Sequence, residues 1–144
     1  MNEKTLIDFQ TDWVKLVDKA YSDYSSLSTD ERIWFNIQCL IYAVCNGGLI
    51  SYYYNPDGDH YKETIIDLEI LGFSDIADLL LQINKLFPNN EPSTNIDERN
   101  DVISSWPDDG KIDNWLEQLD NQFFDKKEGL EQKLMSYIET KIIK

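Results

Sequence analysis

Apolar residues recur every three or four positions along most of the chain, which is the spacing of one face of an α-helix. The first stripe lies in residues 5–20. A longer stripe lies in residues 29–46, directly after Ser28-Thr29-Asp30-Glu31, a sequence typical of a helix N-terminal capping box. The many apolar positions of this longer segment predict the central and most buried helix of the fold.

The rest of the chain shows the same helical spacing, interrupted by Gly, Pro and Asn. Residues 126–129 either break the chain or only kink it, so the pattern predicts six or seven helices. Residues 49–54 are the one segment in which we consider a short extended stretch. We predict an all-α fold in a single compact domain over residues 1–144. The remaining predicted helices cover residues 60–71, 74–87, 95–106, 112–123 and 130–142.

A stretch rich in Gly and Tyr follows the long helix. The glycines after Asn46 are typical of a helix C-terminus, where left-handed backbone angles are needed. Asn55-Pro56-Asp57-Gly58 has the composition of a turn, with Gly58 expected to supply a positive φ. A structural corner is the favoured interpretation, and a partner-binding surface and a small-molecule site stay open. The residues concerned are Asn46, Gly47, Gly48, Tyr52, Tyr53, Asn55 and Gly58.

The formal net charge of −14 results from 27 acidic and 13 basic residues. Such a field repels nucleic acid and anionic lipid and attracts basic protein surfaces, so direct nucleic-acid binding is not expected. An acidic surface that only keeps the protein soluble is the alternative. No segment reaches the ~20 apolar residues of a membrane span, and the N-terminus lacks a secretory signal core, so we expect a cytoplasmic protein.

The acidic residues are concentrated in residues 89–125, which hold ten acids against only Arg99 and Lys111. Several of them recur at helical spacing of three or four residues and so share a helix face. This face is either simply solvated or a docking face for a basic protein, because carboxylates in a row imitate phosphates. The predicted partner-binding residues are Asp97, Glu98, Asp101, Asp108, Asp109, Asp113, Glu117 and Asp120.

Catalytic and metal-binding patterns are weak in this sequence. His60 is the only histidine, and a zinc site would need further ligands near Cys39 and Cys45. The two cysteines lie six residues apart, which on a helix prevents them from pairing, so we expect reduced thiols in the core. We therefore predict no cofactor, no metal and no enzyme activity.

The sequence contains the short motifs Leu27-Ser28, Glu31-Arg32, Asn46-Gly47-Gly48, Tyr52 to Asn55, Gly58, Leu71-Gly72 and Phe87-Pro88. In these motifs the chain resembles a bacterial family of small acidic proteins that includes a DNA mimic. The resemblance covers most of the chain and implies an all-α fold. In the namesake member, surface carboxylates imitate the phosphates of duplex DNA and occupy the DNA-binding face of a dimeric transcription factor.

Three functional hypotheses follow. The first is a non-enzymatic acidic protein that blocks a DNA-binding regulator by phosphate mimicry. The second is an immunity-type inhibitor of a basic toxin or nuclease, which would present carboxylates in the same way. The third, from a different class, is an enzyme or small-molecule binder centred on the Asn-Gly-Gly and tyrosine segment. The oligomeric state stays open, with a homodimer among the alternatives.

Overall fold

The computed structural model describes residues 5–143, and seven α-helices account for most of them. No strand occurs within residues 5–143, and the described chain forms one compact domain. The predicted all-α fold is therefore confirmed. The helices are α1 Gln10–Asp23, α2 Thr29–Gly47, α3 Leu49–Tyr54, α4 Tyr61–Ile70, α5 Ser74–Asn84, α6 Ile96–Ser104 and α7 Lys111–Tyr137.

Helix α2 is the centre of the core, as its sequence predicts. Residues 33–41 are buried without interruption, and α1, α3, α4 and α7 all pack against this helix. Its start has the predicted capping box. Ser28 Oγ accepts a hydrogen bond from the Glu31 backbone N–H at 3.1 Å, and Glu31 Oε1 accepts one from the Ser28 N–H at 2.9 Å. Two backbone N–H groups that lack intrahelical partners are thereby satisfied.

The extended stretch considered for residues 49–54 is wrong, because this segment forms helix α3. Gly48 adopts φ +83° and ends α2, which lets the chain turn before a new helix begins. Leu49, Tyr52 and Tyr53 then point inward and are completely buried. Their spacing of three and four residues fits one face of a helix and not the alternation of a strand.

The break considered at residues 126–129 is absent. Helix α7 continues through this segment for 27 residues, and Leu130 and Leu134 extend its buried stripe beyond the exposed Gly129. A glycine in a helix interior costs only ~1 kcal/mol relative to alanine, which the packing of a long apolar stripe offsets. The helix ends in a π-helical turn at Ile138–Ile142.

Two local details differ from the predictions. The turn at residues 55–58 belongs to a 3-10 turn, Pro56–His60, and Gly58 is not among the residues with positive φ. Cys39 is buried as expected, but Cys45 is exposed, so the expectation of two core thiols is wrong. Neither cysteine is in a disulfide. Within residues 5–143, no helix has both the length and the apolarity to cross a bilayer.

A buried polar cluster joins α2 to α4. Asp67 is fully buried, forms an ion pair with Arg32 and accepts a hydrogen bond from Asn36 Nδ2 at 2.9 Å. Asn36 is also hydrogen-bonded to Tyr24, and partial burial raises the pKa of the Tyr24 hydroxyl to about 12. His60 stacks on the Tyr24 ring at 3.6 Å between ring centroids. A carboxylate at this depth is stable only because it is paired.

Candidate functional site

Helix α6 presents three of the predicted acids to solvent. Asp97, Glu98 and Asp101 are exposed, whereas Arg99 and Ile103 on the other side of the helix are buried. The N-cap residue Asn95 fixes where the helix starts, because its Oδ1 accepts hydrogen bonds from the N–H groups of residues 97 and 98 at 2.9 and 3.1 Å. The carboxylates therefore project from a helix whose first residue is fixed by its N-cap.

Arg99 fixes the rotation of α6 about its own axis, and the side chain of Arg99 has no exposed surface. Its Nη1 donates to Asp59 Oδ1 at 2.6 Å and to the Ser93 carbonyl at 2.9 Å. Its Nε and Nη2 donate to the carbonyls of Tyr53 and Asn55 at 3.0 and 2.9 Å. All of these partners of the Arg99 guanidinium belong to the protein itself. Of the two bases in residues 89–125, only Lys111 is therefore exposed at the surface.

The loop between α6 and α7 carries the exposed Asp108 and Asp109. Gly110 follows with φ +81°, and Asp109 Oδ1 accepts a hydrogen bond from the Lys111 N–H at 3.0 Å, which helps to start α7. Asp108 and Asp113 line a groove of about 330 Å³ together with mainly hydrophobic residues. This groove is lined by Ile50, Tyr54, Ile103, Ser104, Trp106, Pro107, Asp108, Ile112, Asp113 and Leu116.

On helix α7, Asp120 differs in its surroundings from the other two acids of the predicted set. Asp113 and Glu117 are exposed, but Asp120 is half-buried and its Oδ1 accepts a hydrogen bond from the Leu49 N–H at 2.8 Å. Burial raises the pKa of the Asp120 carboxyl, and the charge of Glu117 adds to the rise. Asp120 thus serves the start of α3 as well as the surface. We call the eight predicted acids together the acidic surface. Asp120 belongs to it although its carboxylate also makes this internal contact.

Within residues 5–143, no base forms an ion pair with the acidic surface. Ion pairs within residues 5–143 join Lys19 to Glu31, Arg32 to Asp67, Arg99 to Asp59, Lys126 to Asp75 and Lys127 to Glu131. None of these involves an acid of the acidic surface. Seven of its eight carboxylates are also solvent-exposed, so they are open to a partner.

The Asn-Gly-Gly segment has a structural explanation at Gly48. Besides its positive φ, a Cβ atom at this residue would lie 2.5 Å from Asp120 Oδ2. The absence of a side chain therefore allows α7 to approach the start of α3. Asn46 and Gly47 are exposed at the end of α2, and a Cβ at Gly47 would lie 3.1 Å from the Ser51 Cβ.

The remaining motif residues are used for packing and for holding Arg99. The Tyr52 hydroxyl is hydrogen-bonded to Thr64 Oγ1 at 2.8 Å, and the Tyr53 hydroxyl donates to Asn84 Oδ1 at 2.6 Å. Both rings are completely buried, so neither is open to a ligand. At Gly58, a Cβ would lie 2.6 Å from the Tyr52 carbonyl oxygen and 3.1 Å from Arg99 Nη2.

A metal centre finds no support in the described part of the chain, where no group of three or more His, Cys, Asp or Glu side chains is placed to hold an ion. His60 is half-buried against Tyr24. Burial lowers its pKa and raises that of the Cys39 thiol, which disfavours the thiolate that a nucleophile would need.

Comparison with known proteins now adds a family. The model of a family described as DMP19-like protein matches residues 25–141. The chain belongs to the DMP19-like protein family. This is a family of DNA-mimic proteins, and the matched range includes every residue of the acidic surface and of the Asn-Gly-Gly segment. Searches of the curated proteins and of the solved structures give no match.

Several important residues have no clear signal in the sequence. Arg99 appears there only as one of two bases in an acidic segment, yet it connects α6 to the tyrosine segment. Asp59, its partner, is one of many acids and has no distinctive spacing. Arg32 and its buried partner Asp67 are separated by 35 residues. Inward-facing charges on otherwise amphipathic helices are the signal that could identify such pairs.

Proposed function

We propose that this protein is a non-enzymatic inhibitor that occupies the DNA-binding face of a basic protein by imitating the phosphates of duplex DNA. The observation that carries the proposal is the group of seven exposed carboxylates on α6, α7 and their connecting loop, none of them in an ion pair within the described chain. Membership of a DNA-mimic family supports the same conclusion.

The spacing of the acids suits this role. Asp97 and Asp101 on α6, and Asp113 and Glu117 on α7, are each four residues apart and so are separated by ~6 Å along the helix axis. A repeated array of negative charge is also what a phosphate backbone presents to a cationic protein. Like charges at this spacing cost a few tenths of a kcal/mol per pair, a cost that binding to a basic surface would remove.

The rigid attachment of α6 also supports the proposal. Because Arg99 is fully buried and bonded to three backbone carbonyls and one carboxylate, α6 has little freedom to rotate or slide. Charges that are held in place before binding lose less entropy when they bind, so they stabilise a complex more than charges on a mobile loop.

The test has two stages. The protein is immobilised and exposed at low salt to a lysate of the source organism, and bound proteins are released by rising salt. A released protein is then tested for binding to labelled duplex DNA. We expect the inhibitor to displace the DNA, with an affinity that falls steeply as salt screens the charges.

Two triple variants decide whether the acidic surface is the binding site. Asp101→Asn, Asp113→Asn and Glu117→Gln remove three of its charges and should weaken binding roughly tenfold or more, if each pair contributes ~0.5 kcal/mol. The matched control removes three exposed charges from α1, α4 and α5, through Asp18→Asn, Glu69→Gln and Asp78→Asn. Equal losses in both variants would show that only net charge matters and would reject this surface.

The identity of the captured protein separates mimicry from immunity. A transcription regulator displaced from its DNA supports the proposal. Either kind of partner would offer a cationic face to the same carboxylates, so both could be captured. A captured basic toxin or nuclease that the protein inactivates would establish the immunity-type inhibitor instead. A captured protein that binds no nucleic acid would contradict phosphate mimicry.

A further inference from the structure

A second groove, of about 320 Å³, lies between α1, α2 and the 3-10 turn Pro56–His60. It does not involve α6 or α7, so it is separate from the acidic surface. We call it the aromatic groove, because four of the ten described residues that line it are aromatic. It is lined by Trp13, Val17, Tyr21, Phe35, Cys39, Tyr42, Ala43, Asn46, Asn55 and Asp57.

The aromatic rings form a continuous cluster. Trp13 stacks on Phe35 with ring centroids 5.8 Å apart, and Tyr42 meets the Trp13 ring edge-on at 6.2 Å. Tyr21 meets the Phe35 ring edge-on at 6.3 Å. Tyr21 is 73% exposed and Tyr42 is 40% exposed, whereas the other two rings are buried. The groove therefore has a buried aromatic floor and exposed aromatic rings at its edge.

Among the described residues, Asp57 is the only acidic one that lines this groove. It is half-buried, and it makes no ion pair in the part of the chain that the structure describes. Two other carboxylates that face inward have a cation: Asp59 has Arg99, and Asp67 has Arg32. Burial raises the pKa of the Asp57 carboxyl and the charge of Asp59 adds to this rise, whereas His60 and a hydrogen bond from the Cys39 thiol lower it. Half-buried charge without a counter-ion is unfavourable, so a cation in the groove would stabilise it.

Two amides of the Asn-Gly-Gly segment also line the groove. Asn55 Nδ2 donates to the Ser51 carbonyl at 2.6 Å, which leaves the Asn55 Oδ1 as an acceptor. Asn46 is exposed at the end of α2 on the same groove. Residues 46–58, which are otherwise explained by packing, thus contribute the Asp57 carboxylate and the side-chain amides of Asn46 and Asn55 to the aromatic groove.

We propose that the aromatic groove binds an arginine side chain of a partner protein, with its guanidinium paired to Asp57 and stacked on the aromatic rings. Arginine fits better than lysine, because the guanidinium is planar, stacks on aromatic faces and is more weakly hydrated than an ammonium. It also brings five N–H donors, which the carboxylate and the amide oxygens can accept. The assignment does not depend on the proposed function.

The probe is Nα-acetyl-arginine amide, titrated into the isotopically labelled full-length protein at physiological ionic strength and followed by NMR. We expect saturable shifts at Trp13, Tyr21 and Tyr42. Nα-acetyl-citrulline amide has nearly the same shape without the charge and should give no saturable shifts. Nα-acetyl-lysine amide should bind more weakly than the arginine probe.

Two variants assign the contacts. Asp57→Asn keeps the shape of the side chain and should weaken binding roughly tenfold or more, since a hydrogen bond to a charged group contributes ~1.5–3 kcal/mol. Tyr21→Ala changes an exposed ring, is not expected to disturb the fold, and should weaken binding about threefold. Glu69→Gln removes an equal charge from α4 and should leave the affinity unchanged.

Several results would overturn the assignment. Equal binding of the citrulline probe, or an unchanged affinity of Asp57→Asn, would show that the charge of Asp57 is not used. Shifts confined to α6 and α7 would place the arginine on the acidic surface instead. Tighter binding of the lysine probe would reject the choice of arginine. If Asp57→Asn proves unfolded, the loss of affinity in Tyr21→Ala decides, and an unchanged affinity there rejects the groove.

Discussion

Arg99 and Asp59 form an ion pair in which the arginine is completely buried, with Nη1 2.6 Å from Asp59 Oδ1. The pair joins α6 to the 3-10 turn that follows α3. Asp59 retains about a third of its side-chain exposure, so the fully desolvated partner is the arginine. The other N–H groups of Arg99 donate to backbone carbonyls. This one side chain therefore connects α6, which carries part of the acidic surface, to the segment of residues 52–55.

We expect Arg99→Met to be strongly destabilising. The change leaves the carbonyls of Tyr53, Asn55 and Ser93 without their side-chain donor, and a buried acceptor left unsatisfied costs ~1–3 kcal/mol. Urea denaturation followed by circular dichroism measures the loss. Lys111→Met is the matched control, because it removes the exposed base of the same segment and should change the free energy of unfolding by less than ~0.5 kcal/mol.

A second substitution distinguishes the carbonyls from the charge. If the unpaired charge of Asp59 caused the loss, adding Asp59→Asn to Arg99→Met would restore most of the stability. We expect little recovery, since Asp59 is partly solvated and can be hydrated when the arginine is gone. A free energy of unfolding for Arg99→Met within ~1 kcal/mol of the wild-type value would contradict this role of Arg99.

Two glycines should respond to alanine in opposite directions. At Gly58 a Cβ would lie 2.6 Å from the Tyr52 carbonyl oxygen, so the backbone must shift and we expect a loss of roughly 2 kcal/mol or more. At Gly129, inside α7, the nearest atom to a Cβ is Phe73 Cε1 at 3.9 Å. There alanine should stabilise the protein by ~0.5–1 kcal/mol through its higher helix propensity.

Thermal and urea unfolding of the two variants test this contrast, and each variant is the control for the other. Both changes add one methyl group, so only the local space and backbone conformation differ. A gain of stability in Gly58→Ala would show that the corner is more loosely packed than the contacts indicate. A loss in Gly129→Ala would show that Gly129 needs flexibility, as a kink in α7 would.

The helices could be predicted from the sequence because their buried positions are close together in the chain. In α2 and α7, apolar residues recur every three or four positions over several turns. Helix α3 could not be assigned in this way, because six residues give too few turns to separate a helix from a strand. What decides it is Gly48, which ends one helix and allows the next to begin.

The charged contacts depend on residues that are far apart in the chain. The spacing of Asp113, Glu117 and Asp120 correctly puts them on α7, but it does not show that Asp120 meets Leu49, which is 71 residues away. Likewise, the acceptors of Arg99 are mainly backbone carbonyls, and a backbone atom leaves no trace in the pattern of side chains. The helix that carries a carboxylate can therefore be predicted from the sequence, whereas the internal partners of that carboxylate cannot.

The capping box of α2 should give stability that depends on pH. The hydrogen bond from the Ser28 N–H lowers the pKa of Glu31, and the Lys19 ammonium at 2.9 Å contributes to this shift. A carboxyl group with a lowered pKa stabilises the fold when it is ionised, and this contribution is lost as the pH falls through the folded-state pKa. Glu31→Gln keeps an oxygen that can accept from Ser28 but removes the charge.

We expect Glu31→Gln to lower the free energy of unfolding by ~0.5–1 kcal/mol at neutral pH, the usual contribution of an exposed pair and a charge near a helix N-terminus. Below the folded-state pKa of Glu31 the difference should vanish, since the native side chain is then neutral as well. Urea denaturation across the acidic range measures this. Glu69→Gln serves as the control on α4. A difference that stays constant with pH would show that shape, not charge, is responsible.

Asp120 should show the opposite dependence on pH. Burial raises the pKa of its carboxyl above the ordinary value, so between the ordinary and the raised pKa the folded state binds a proton that the unfolded state has released. The stability of the wild-type protein therefore falls as the pH rises through this interval. Asp120→Asn has no proton to lose and keeps an oxygen that can accept from the Leu49 N–H.

The stability of Asp120→Asn relative to the wild type should therefore increase from acidic to neutral pH. Asp113→Asn, which changes an exposed acid of the same helix, corrects for the loss of one charge. Asp120→Ala removes the acceptor itself and should cost ~0.5–2 kcal/mol, as the loss of a helix cap does. Urea denaturation at a series of pH values measures all three. If Asp120→Ala were as stable as Asp113→Asn, the contact with Leu49 would contribute nothing, and Asp120 would belong with the freely exposed acids.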